Sequence, residues 1–390
     1  MNRENFIINC CTGCGLCHST MSTTIKYDEK GFIIPQIDSN TQYEKICPVF
    51  YYMNKNKDFK LWGNYIDVYE GYSTDEYIRY SASSGGALTA LSLYLLESGT
   101  VNGIIHTGIS KENPIKIVTY VSRSREEVIS HMGSRYSISA PLMDIVSLLR
   151  PDEKYAFIGK PCDITALKQY CRNIKDLGNT IVFTMSFFCA GMPSNRANKE
   201  LLASLGCDIS NLSSLQYRGN GWPGYTTAVD KNGRQYKMTY QKAWGSYLGR
   251  DIKKICRYCM DGIGESADIA CADFWYLDKN DNPDFSEHNG RNIIFARNDK
   301  ANLVLQSAAK LGFLNIANRN DIMNHFEMYQ PNHFTRRVTM KYQLLALKIF
   351  GRFAPKYSRR YLNQANKFSN IKINYKIFIG TIKRILQGKL

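Results

Sequence analysis

The sequence predicts an α/β (α+β) protein in three parts: a small cysteine-rich module, a sheet domain and a basic helical tail. Three observations support this prediction. Cysteines are closely spaced near the N-terminus, apolar strands alternate with amphipathic helices in the body, and the residues after His333 carry cations without acids. We place the three parts at residues 1–60, 61–330 and 331–390.

The module is defined by Cys11, Cys14 and Cys17 in the run C-T-G-C-G-L-C, with a Cys-Pro pair at Cys47–Pro48. Three thiolates at this spacing can hold one side of an iron-sulfur cubane, and a fourth before proline can close the other side. Structural zinc is the alternative, but zinc sites usually pair two separated C-x-x-C hairpins. No second such run precedes Cys47. We therefore predict a ferredoxin-like module with one 4Fe-4S cluster.

In the body, a helix is expected at 87–96 and a strand at 101–105. Two later strands, 155–158 and 181–188, are each followed by a cysteine and then by a helix, from about residue 164 and about residue 195. Strand-to-helix turns of a doubly wound sheet share its carboxyl edge, where ligands bind. We therefore expect the two cysteines, Cys162 and Cys189, to meet in space.

A third group, Cys256 and Cys259, forms a C-x-x-C pair that is ambiguous among zinc, a redox dithiol and a cluster. Together with Cys162 and Cys189 it offers four thiolates for a second 4Fe-4S cluster. The alternative is that Cys162, Cys189 and Cys271 are ordinary buried thiols.

Two loops of small residues are typical of phosphate binding. The first contains Ser83, Ser84, Gly85 and Gly86 and opens a helix, whose N-terminal N–H groups attract anions, although simple N-capping is the alternative. The second contains Ser134, Arg135 and Tyr136, which add a cation and an aromatic ring. The run G-N-G-W-P-G at 219–224 matches a dinucleotide fingerprint in letters only, because its proline and the apolar residues after it predict a turn before a strand.

These segments resemble the beta subunit of coenzyme F420-reducing hydrogenase and dehydrogenase. The resemblance rests on C-T-G-C-G-L-C with Cys47–Pro48, S-S-G-G-A, G-S-R-Y, G-K-P-C-D-I-T-A-L, F-F-C-A-G-M-P-S, Y-R-G-N-G-W-P-G, C-R-Y-C-M-D and A-D-I-A-C-A-D-F-W, which span residues 11–275. The wider family includes 7-hydroxymethyl chlorophyll a reductase and members that accompany polysaccharide genes in bacteria lacking the deazaflavin.

The resemblance implies FAD and two 4Fe-4S clusters. It places FAD against Ser83, Ser84, Gly85, Gly86, Ser134, Arg135 and Tyr136, the outer cluster on Cys11, Cys14, Cys17 and Cys47, and the inner cluster on Cys162, Cys189, Cys256 and Cys259. It also places Lys160 near the flavin. Cys271 departs from the family pattern and is an alternative inner ligand. Arg218 is a candidate to face a ligand, and we take Lys160 and Arg218 as the candidate catalytic residues.

We expect an iron-sulfur flavoprotein oxidoreductase. A one-electron donor such as a ferredoxin would supply electrons through the two clusters to FAD, and a small organic substrate would be reduced. A sugar intermediate of polysaccharide biosynthesis is one candidate substrate. The alternative is an electron-transfer subunit, linked to coenzyme F420 or ferredoxin, that delivers electrons to a partner protein.

The net charge of +16 is concentrated in the tail. From His333 to Leu390 there are eight lysines, six arginines and no acidic residue, so this segment carries +14 and the rest about +2. The body therefore gives no reason to expect nucleic acid as a partner. Segments 342–353 and 375–386 combine apolar residues with cations, which predicts helices lying on an anionic membrane surface. The alternative is a tail packed on the body or on a partner.

No apolar signal region and no membrane-spanning run is visible, and clustered cysteines favour a reducing compartment. We therefore expect a cytoplasmic protein, with the tail at the inner membrane face. If the tail is an independent membrane anchor, truncation after about residue 335 should abolish vesicle binding and leave flavin reduction intact.

Overall fold

A computed structural model of the protein describes residues 3–37, 42–55 and 58–390. The helices are Arg3–Cys10 (α1), Leu16–Met21 (α2), Tyr43–Ile46 (α3), Pro48–Met53 (α4), Glu76–Ser81 (α5), Ala87–Glu97 (α6), Arg125–Ser130 (α7), Ile145–Leu148 (α8), Pro161–Asn173 (α9), Asn195–Leu205 (α10), Tyr240–Lys242 (α11), Asp299–Lys310 (α12), Pro331–Ile349 (α13), Arg359–Asn366 (α14) and Ile371–Leu386 (α15). The strands are Ile25–Tyr27 (β1), Ile33–Pro35 (β2), Asp67–Ser73 (β3), Gly103–Ile109 (β4), Ile117–Ser122 (β5), Tyr155–Gly159 (β6), Ile181–Phe187 (β7), Leu212–Gln216 (β8), Tyr225–Asp230 (β9), Gln235–Thr239 (β10), Ile269–Asp273 (β11), Asn292–Ala296 (β12) and Leu314–Asn318 (β13).

The predicted α/β class is confirmed. In the part of the chain that the structure describes, the main sheet has eight strands in the order β13-β3-β12-β11-β7-β6-β4-β5. Strands β11, β7, β6 and β4 are parallel to one another, and antiparallel strands extend the sheet at both sides. The four parallel strands are mostly buried, as expected when helices cover a parallel centre, whereas the edge strands β5 and β13 are partly exposed.

Strands β6 and β7 are neighbours, so the turns that follow them lie at the same edge of the sheet. This matches the sequence-based prediction. The helix after β6 begins at Pro161 rather than near residue 164. Proline suits the first helical position because the N–H it lacks would have no helical partner there, and Asp163 accepts a hydrogen bond from the Lys160 N–H (2.9 Å). Lysine is an unusual residue before a helix, which is why the sequence pattern did not reveal this start.

A small antiparallel sheet, β10-β9-β8, packs beside the main one. The segment 219–224 is a loop leading into β9, as predicted, and does not open a helix. Gly219 has φ +110°, and a Cβ there would lie 2.2 Å from the Ser81 carbonyl oxygen. The glycines of this loop are therefore required by close packing of protein backbone, which agrees with the rejection of a dinucleotide fingerprint.

The tail forms three helices that pack on the body. Met340, Leu344 and Leu347 of α13 share a core with Val49 and with Ile255, and Phe353, Tyr361 and Ile385 belong to the same core. Part of the apolar surface of the first predicted membrane segment, 342–353, is thus covered by the protein itself, while Leu345, Ile349 and Phe350 stay exposed. Within the described residues, no helix is both long enough and apolar enough to cross a bilayer.

Candidate functional site

Four cysteines near the N-terminus line one cavity. These are Cys11, Cys14, Cys17 and Cys47, and the remaining wall is mostly apolar: Ile7, Leu16, Ile25, Ile33, Pro35 and Ile46. Burial raises the pKa of Cys14 and Cys47 above its usual range, and neighbouring thiols add to the shift. Burial and the neighbouring Cys11 thiol together raise the pKa of Cys17 to about 12. The Thr12 hydroxyl is buried there, and no described residue forms a hydrogen bond with it. We call this group of four thiols the outer site.

Gly13 and Gly15 shape the outer-site loop, with φ of +76° and +86°. A Cβ at Gly15 would lie 2.8 Å from the Met143 Cα, and one at Gly13 would lie 3.2 Å from the Met192 Cε. Both positions therefore need glycine for the left-handed backbone and because the body approaches closely.

The structure brings Cys162, Cys189, Cys256 and Cys259 together, and we call them the inner site. Cys162 lies in the first turn of α9, Cys189 follows β7, and the other two lie in or just after the short helical turn Lys254–Tyr258. Burial raises the pKa of Cys189 to about 11 and that of Cys162 and Cys259 higher, and the Cys256 thiol raises all three. Among the described residues, no three His, Cys, Asp or Glu side chains are placed to share a single metal ion.

The backbone around Cys189 is held by residues distant in sequence. The Cys189 N–H donates to the Gly262 carbonyl (2.7 Å), and the Nε2 of His333 lies 3.3 Å from the Cys189 carbonyl oxygen. The Arg336 guanidinium donates to the Ala190 carbonyl (3.0 Å), and its charge lowers the pKa of Cys189 against the larger effect of burial. Sequence reasoning missed His333 and Arg336, because nothing in the basic tail connects them to a cysteine.

The outer and inner sites adjoin each other. The Asp163 carboxylate raises the pKa of Cys14 in the outer site and of Cys162 in the inner site, so it lies near both. Met192, which approaches Gly13, follows Cys189 by three residues, and a Cβ on Gly191 would lie 3.3 Å from the Cys256 Cβ. The loop after Cys189 therefore contacts both groups of thiols.

Cys271 lies elsewhere, in β11, within the hydrophobic core of the sheet. The pKa of the Cys271 thiol is raised by burial alone. In the inner site, the pKa values of Cys162, Cys189 and Cys259 are raised by burial and also by at least one neighbouring thiol. This placement favours Cys271 as a packing residue.

Lys160 links the inner site to the second small-residue loop. Its ammonium group is buried, lies 2.8 Å from the Asp163 carboxylate and donates to the Ser139 hydroxyl (2.9 Å). Burial by itself lowers the pKa of Lys160, but Asp163, Cys162 and Cys189 raise it above its ordinary value. Lys160 is therefore held as a cation between the thiols and the segment that contains Ser139.

The two predicted phosphate loops meet. The Ser134 N–H donates to the Ser83 hydroxyl, and the Ser84 hydroxyl donates to the Arg291 carbonyl (2.9 Å). A Cβ at Gly85 would lie 2.8 Å from the Arg291 Cα, and one at Gly86 would lie 2.9 Å from the Ile78 Cγ2. These two glycines are thus required by packing against protein, and Gly86 also has φ +73°.

Arg135 is a partly buried cation with no carboxylate partner among the described residues. Its guanidinium donates to the carbonyls of Gly133 (2.7 Å) and Met132 (3.1 Å), while its Nε is buried and has no hydrogen-bond partner in the described part of the chain. Burial lowers its pKa to about 10, and only tyrosines oppose this shift. Tyr136 packs its ring 4.9 Å from Trp244. An uncompensated arginine beside serine hydroxyls suits a phosphate group.

Arg218 is committed to an internal ion pair. Its guanidinium forms two hydrogen bonds with Asp273 (2.9 and 3.1 Å) and lies 4.4 Å from the centre of the Tyr240 ring. The residue is only 3% exposed. Its donors are thus directed into the protein, and a role toward a ligand stays a prediction.

Comparison with known proteins identifies relatives across most of the chain. The family described as coenzyme F420 hydrogenase/dehydrogenase, beta subunit, is matched in two parts: its N-terminal part by residues 68–147 and its C-terminal part by residues 152–322. The coenzyme F420 hydrogenase subunit beta of Methanococcus voltae is 24% identical over 276 residues, covering 69% of this chain and 90% of the relative.

Two further relatives show a similar range. The F420-dependent formate dehydrogenase subunit beta of Methanocaldococcus jannaschii is 23% identical over 286 residues, and the match covers 73% of this chain and 67% of the relative. The coenzyme F420 hydrogenase subunit beta of Methanosarcina barkeri is 32% identical over 132 residues, which is 33% of this chain and 45% of the relative. This match therefore spans less than half of that protein.

A chain from the F420-reducing [NiFe] hydrogenase complex of Methanosarcina barkeri has the same fold. The TM-score is 0.58 at 19% identity, and the match covers 77% of this chain and 100% of that chain.

Proposed function

Because the chain belongs to the coenzyme F420 hydrogenase/dehydrogenase beta subunit family, we propose that it is an electron-transfer subunit of an oxidoreductase that exchanges electrons with a partner protein. Relatives are named as subunits of F420 hydrogenase and of F420-dependent formate dehydrogenase, and another as a coenzyme F420-dependent sulfite reductase. Their shared class is redox chemistry, which supports the coarser role. The cofactors, donor and acceptor below are the finer parts of the proposal.

One observation carries the proposal: three groups of residues adjoin one another in series. The outer-site thiols are near Asp163, Asp163 is near the inner-site thiols and paired with Lys160, and Lys160 contacts Ser139. Ser139 belongs to the loop whose Ser134 meets Ser83. A protein that only stored metal or only bound a nucleotide would have no need of this continuity.

The outer and inner sites each fit a 4Fe-4S cluster in residue type. Each offers four cysteine thiols in a buried setting, and the outer one adds an apolar cavity with an unpartnered hydroxyl. Thiolate ligands and a low-polarity surround are what such clusters require. Cys11, Cys14, Cys17 and Cys47 would hold one cluster, and Cys162, Cys189, Cys256 and Cys259 the other.

The meeting of the two small-residue loops fits the phosphates of FAD. Arg135 supplies a partly buried positive charge whose Nε–H has no partner among the described residues, and Ser83, Ser84 and Ser134 supply hydroxyl and backbone groups. When bound, the clusters carry single electrons and the flavin couples them to two-electron chemistry. Lys160, held as a cation between the inner thiols and this loop, would favour negative charge arriving there.

Reduction of a small organic molecule by the chain itself is the second reading. It includes a sugar intermediate as substrate. No contact among the described residues singles out a sugar, whereas the relatives' names favour transfer to or from a partner. Turnover separates the two readings: an independent enzyme would reduce a small molecule with a chemical reductant, and a subunit would do so only with its partner protein.

The experiment that tests the proposal is anaerobic purification followed by electron transfer. We expect about eight iron atoms and eight sulfides per chain, as two cubanes require, and one FAD. Reduced ferredoxin should reduce the bound flavin in the unmodified protein. In Cys14→Ser, the flavin should stay bound but its reduction by ferredoxin should slow by about a hundredfold or more.

Reduced coenzyme F420 should be tried as an alternative donor in the same assay. About four iron atoms after careful reconstitution would contradict the inner cluster. An equal rate of flavin reduction in Cys14→Ser and the unmodified protein would contradict the route through the outer site.

A further inference from the structure

The last helix, α15, exposes a continuous row of apolar side chains. Ile371, Tyr375 and Leu386 are 83%, 67% and 72% exposed. Ile379 and Ile382, which are partly exposed, lie between them, so the spacing along the row is four, four, three and four residues. That spacing keeps all five on one face of a helix. We call this row the α15 stripe.

The other side of α15 is fixed to the protein. Asn374, Thr381 and Ile385 are buried, the Asn374 amide oxygen accepts hydrogen bonds from Asn366 (2.9 Å) and Ser369 (2.9 Å), and Ile385 joins the core shared with α13. The stripe is therefore not the face by which α15 packs on the rest of the protein. It is a second face of the helix, and it is exposed to solvent, whereas the face with Asn374, Thr381 and Ile385 packs against the protein.

Cations flank the stripe. Lys372, Lys376 and Lys383 are exposed and follow the stripe positions by one residue, which places them along one of its sides. In the part of the chain that the structure describes, none of the three forms an ion pair, and no acidic residue occurs anywhere in the segment His333–Leu390. The surface thus combines bulky apolar groups with uncompensated positive charge.

We propose that α15 docks the protein on an anionic lipid surface. The helix would lie parallel to the bilayer over its length of about 24 Å, with the stripe among the headgroups and acyl-chain ends and the lysines beside lipid phosphates. The row carries one polar group, the Tyr375 hydroxyl, and is otherwise apolar, which suits the interface of a fluid lipid surface, where no fixed register is needed. A partner protein with an acidic surface is the competing occupant. This inference goes beyond the proposed electron-transfer function and does not depend on it.

The test is flotation of the purified, cofactor-loaded protein with vesicles of phosphatidylglycerol and phosphatidylcholine in equal parts. Binding should fall with added salt and be weak on pure phosphatidylcholine. Changing Ile371, Tyr375 and Leu386 together to Ser should lower the partition coefficient by about tenfold or more, because apolar burial drives interfacial binding. Changing Lys372, Lys376 and Lys383 together to Gln should have a similar effect by removing charge.

Matched controls are available on the body. Leu303→Ser removes a 69%-exposed apolar residue from α12, and the triple change Lys199→Gln, Lys237→Gln and Lys279→Gln removes three exposed cations. Both should leave binding within about twofold, and far-UV circular dichroism checks that every variant is folded. Equal binding by the unmodified protein and the stripe variant would overturn the proposal. A second result would also overturn it: the unmodified protein binds polyglutamate tightly, the lysine variant loses that binding, and the stripe variant keeps vesicle binding. This result would indicate an acidic protein partner.

Discussion

Cys162, in the first turn of α9, and Cys271, in β11, have different neighbours. Cys162 is beside other thiols and a cation, and Cys271 is beside aliphatic side chains. Free cysteine behaves as a small hydrophobe unless its surroundings supply partners. The difference between the two positions therefore separates a ligand candidate from a packing residue.

We predict that Cys162→Ser loses about four iron atoms per chain, because a 4Fe-4S cluster lacking one thiolate is labile. Cys271→Ala should keep the full iron content and lose only about 1 kcal/mol of unfolding free energy for the small cavity. Iron and sulfide analysis of the two anaerobically purified variants checks this. Iron loss in Cys271→Ala with full iron in Cys162→Ser would assign the ligand to Cys271.

Lys160 should contribute to the stability of the fold through its ion pair with Asp163. Replacing it with Met leaves the buried Asp163 carboxylate without its ion-pair partner, a change that typically costs about 3–5 kcal/mol. The double variant Lys160→Met with Asp163→Asn should recover part of that loss, since no buried charge is then unpaired. Denaturant unfolding of the four proteins of this cycle gives the coupling. Additive effects of the two changes would show that the pair is not coupled.

Arg135 is the sharpest test of the flavin assignment. Arg135→Gln should lower FAD retention by about tenfold or more while iron content stays unchanged, because the guanidinium charge would no longer meet the phosphate. Arg125→Gln is the control, since Arg125 is already paired with Asp75 and Glu97. Released flavin is measured by mass and absorbance. Unchanged FAD content in Arg135→Gln would remove this residue from the site.

For single residues, the sequence indicated which side chains are candidates for the sites, but not which other residues surround them. The eight cysteines could be selected by spacing and motif. The expectation that Gly85 and Gly86 leave room for phosphate could not foresee that Arg291 and Ile78 occupy the space where a Cβ would lie. Such contacts join residues far apart in the chain, and no local pattern encodes them.

Helix α13 shows what one element contributes to the whole. Its Arg337, only 1% exposed, pairs with Glu265 (2.8 Å), which also pairs with Lys55. One carboxylate thereby connects the segment before β3, the body and the tail. Burial by itself raises the pKa of Glu265, but Arg337 and Lys55 lower it to about 2.

This pairing predicts a particular loss of stability in acid. A lowered pKa means that the folded state binds the Glu265 proton less well than the unfolded state does. The stabilisation is therefore complete above about pH 4.5 and is lost as the pH falls toward about 2, by about 3 kcal/mol in total. The Glu265→Gln protein should be less stable at neutral pH, and its free energy of unfolding should change less between about pH 4.5 and about pH 2.

Stopped-flow acid jumps followed by tryptophan fluorescence measure the effect as unfolding rates. Glu200→Gln, at an exposed position on α10, serves as the control and should follow the unmodified protein. Parallel pH dependence in Glu265→Gln and the unmodified protein would show that other carboxylates dominate.

For whole elements, the sequence was most informative where the chain is regular. Strand β7 and the start of α10 at Asn195 were expected nearly as observed, because an apolar run and a capping serine mark them. The order of the eight strands was not predictable, since the antiparallel strands β12, β3 and β13 join the sheet from distant parts of the chain. The role of α13 was hidden for the same reason: its composition is that of a membrane-surface helix, and only its contacts reveal a core helix.

On the scale of the molecule, the tail is part of the fold and not an appendage. Removing residues 331–390 would strip Met340 and Leu344 from a shared core and His333 and Arg336 from the inner site. We predict that this truncated protein loses iron from both sites and aggregates, contrary to the sequence-based expectation that truncation spares flavin reduction. Deleting only residues 387–390 is the control. A soluble truncated protein with about eight iron atoms would show that the tail is dispensable.

The shared core of the tail and the first sixty residues also sets an order of events during synthesis. Val49 and Met53, which follow the last outer-site cysteine, complete their packing against Leu344 and Tyr361. A chain that leaves the ribosome N-terminus first exposes the cysteine run long before those residues exist. Iron delivered early would meet an incomplete cavity. Loading of the outer site should therefore follow release of the chain, and until then its thiols depend on the reducing power of their surroundings.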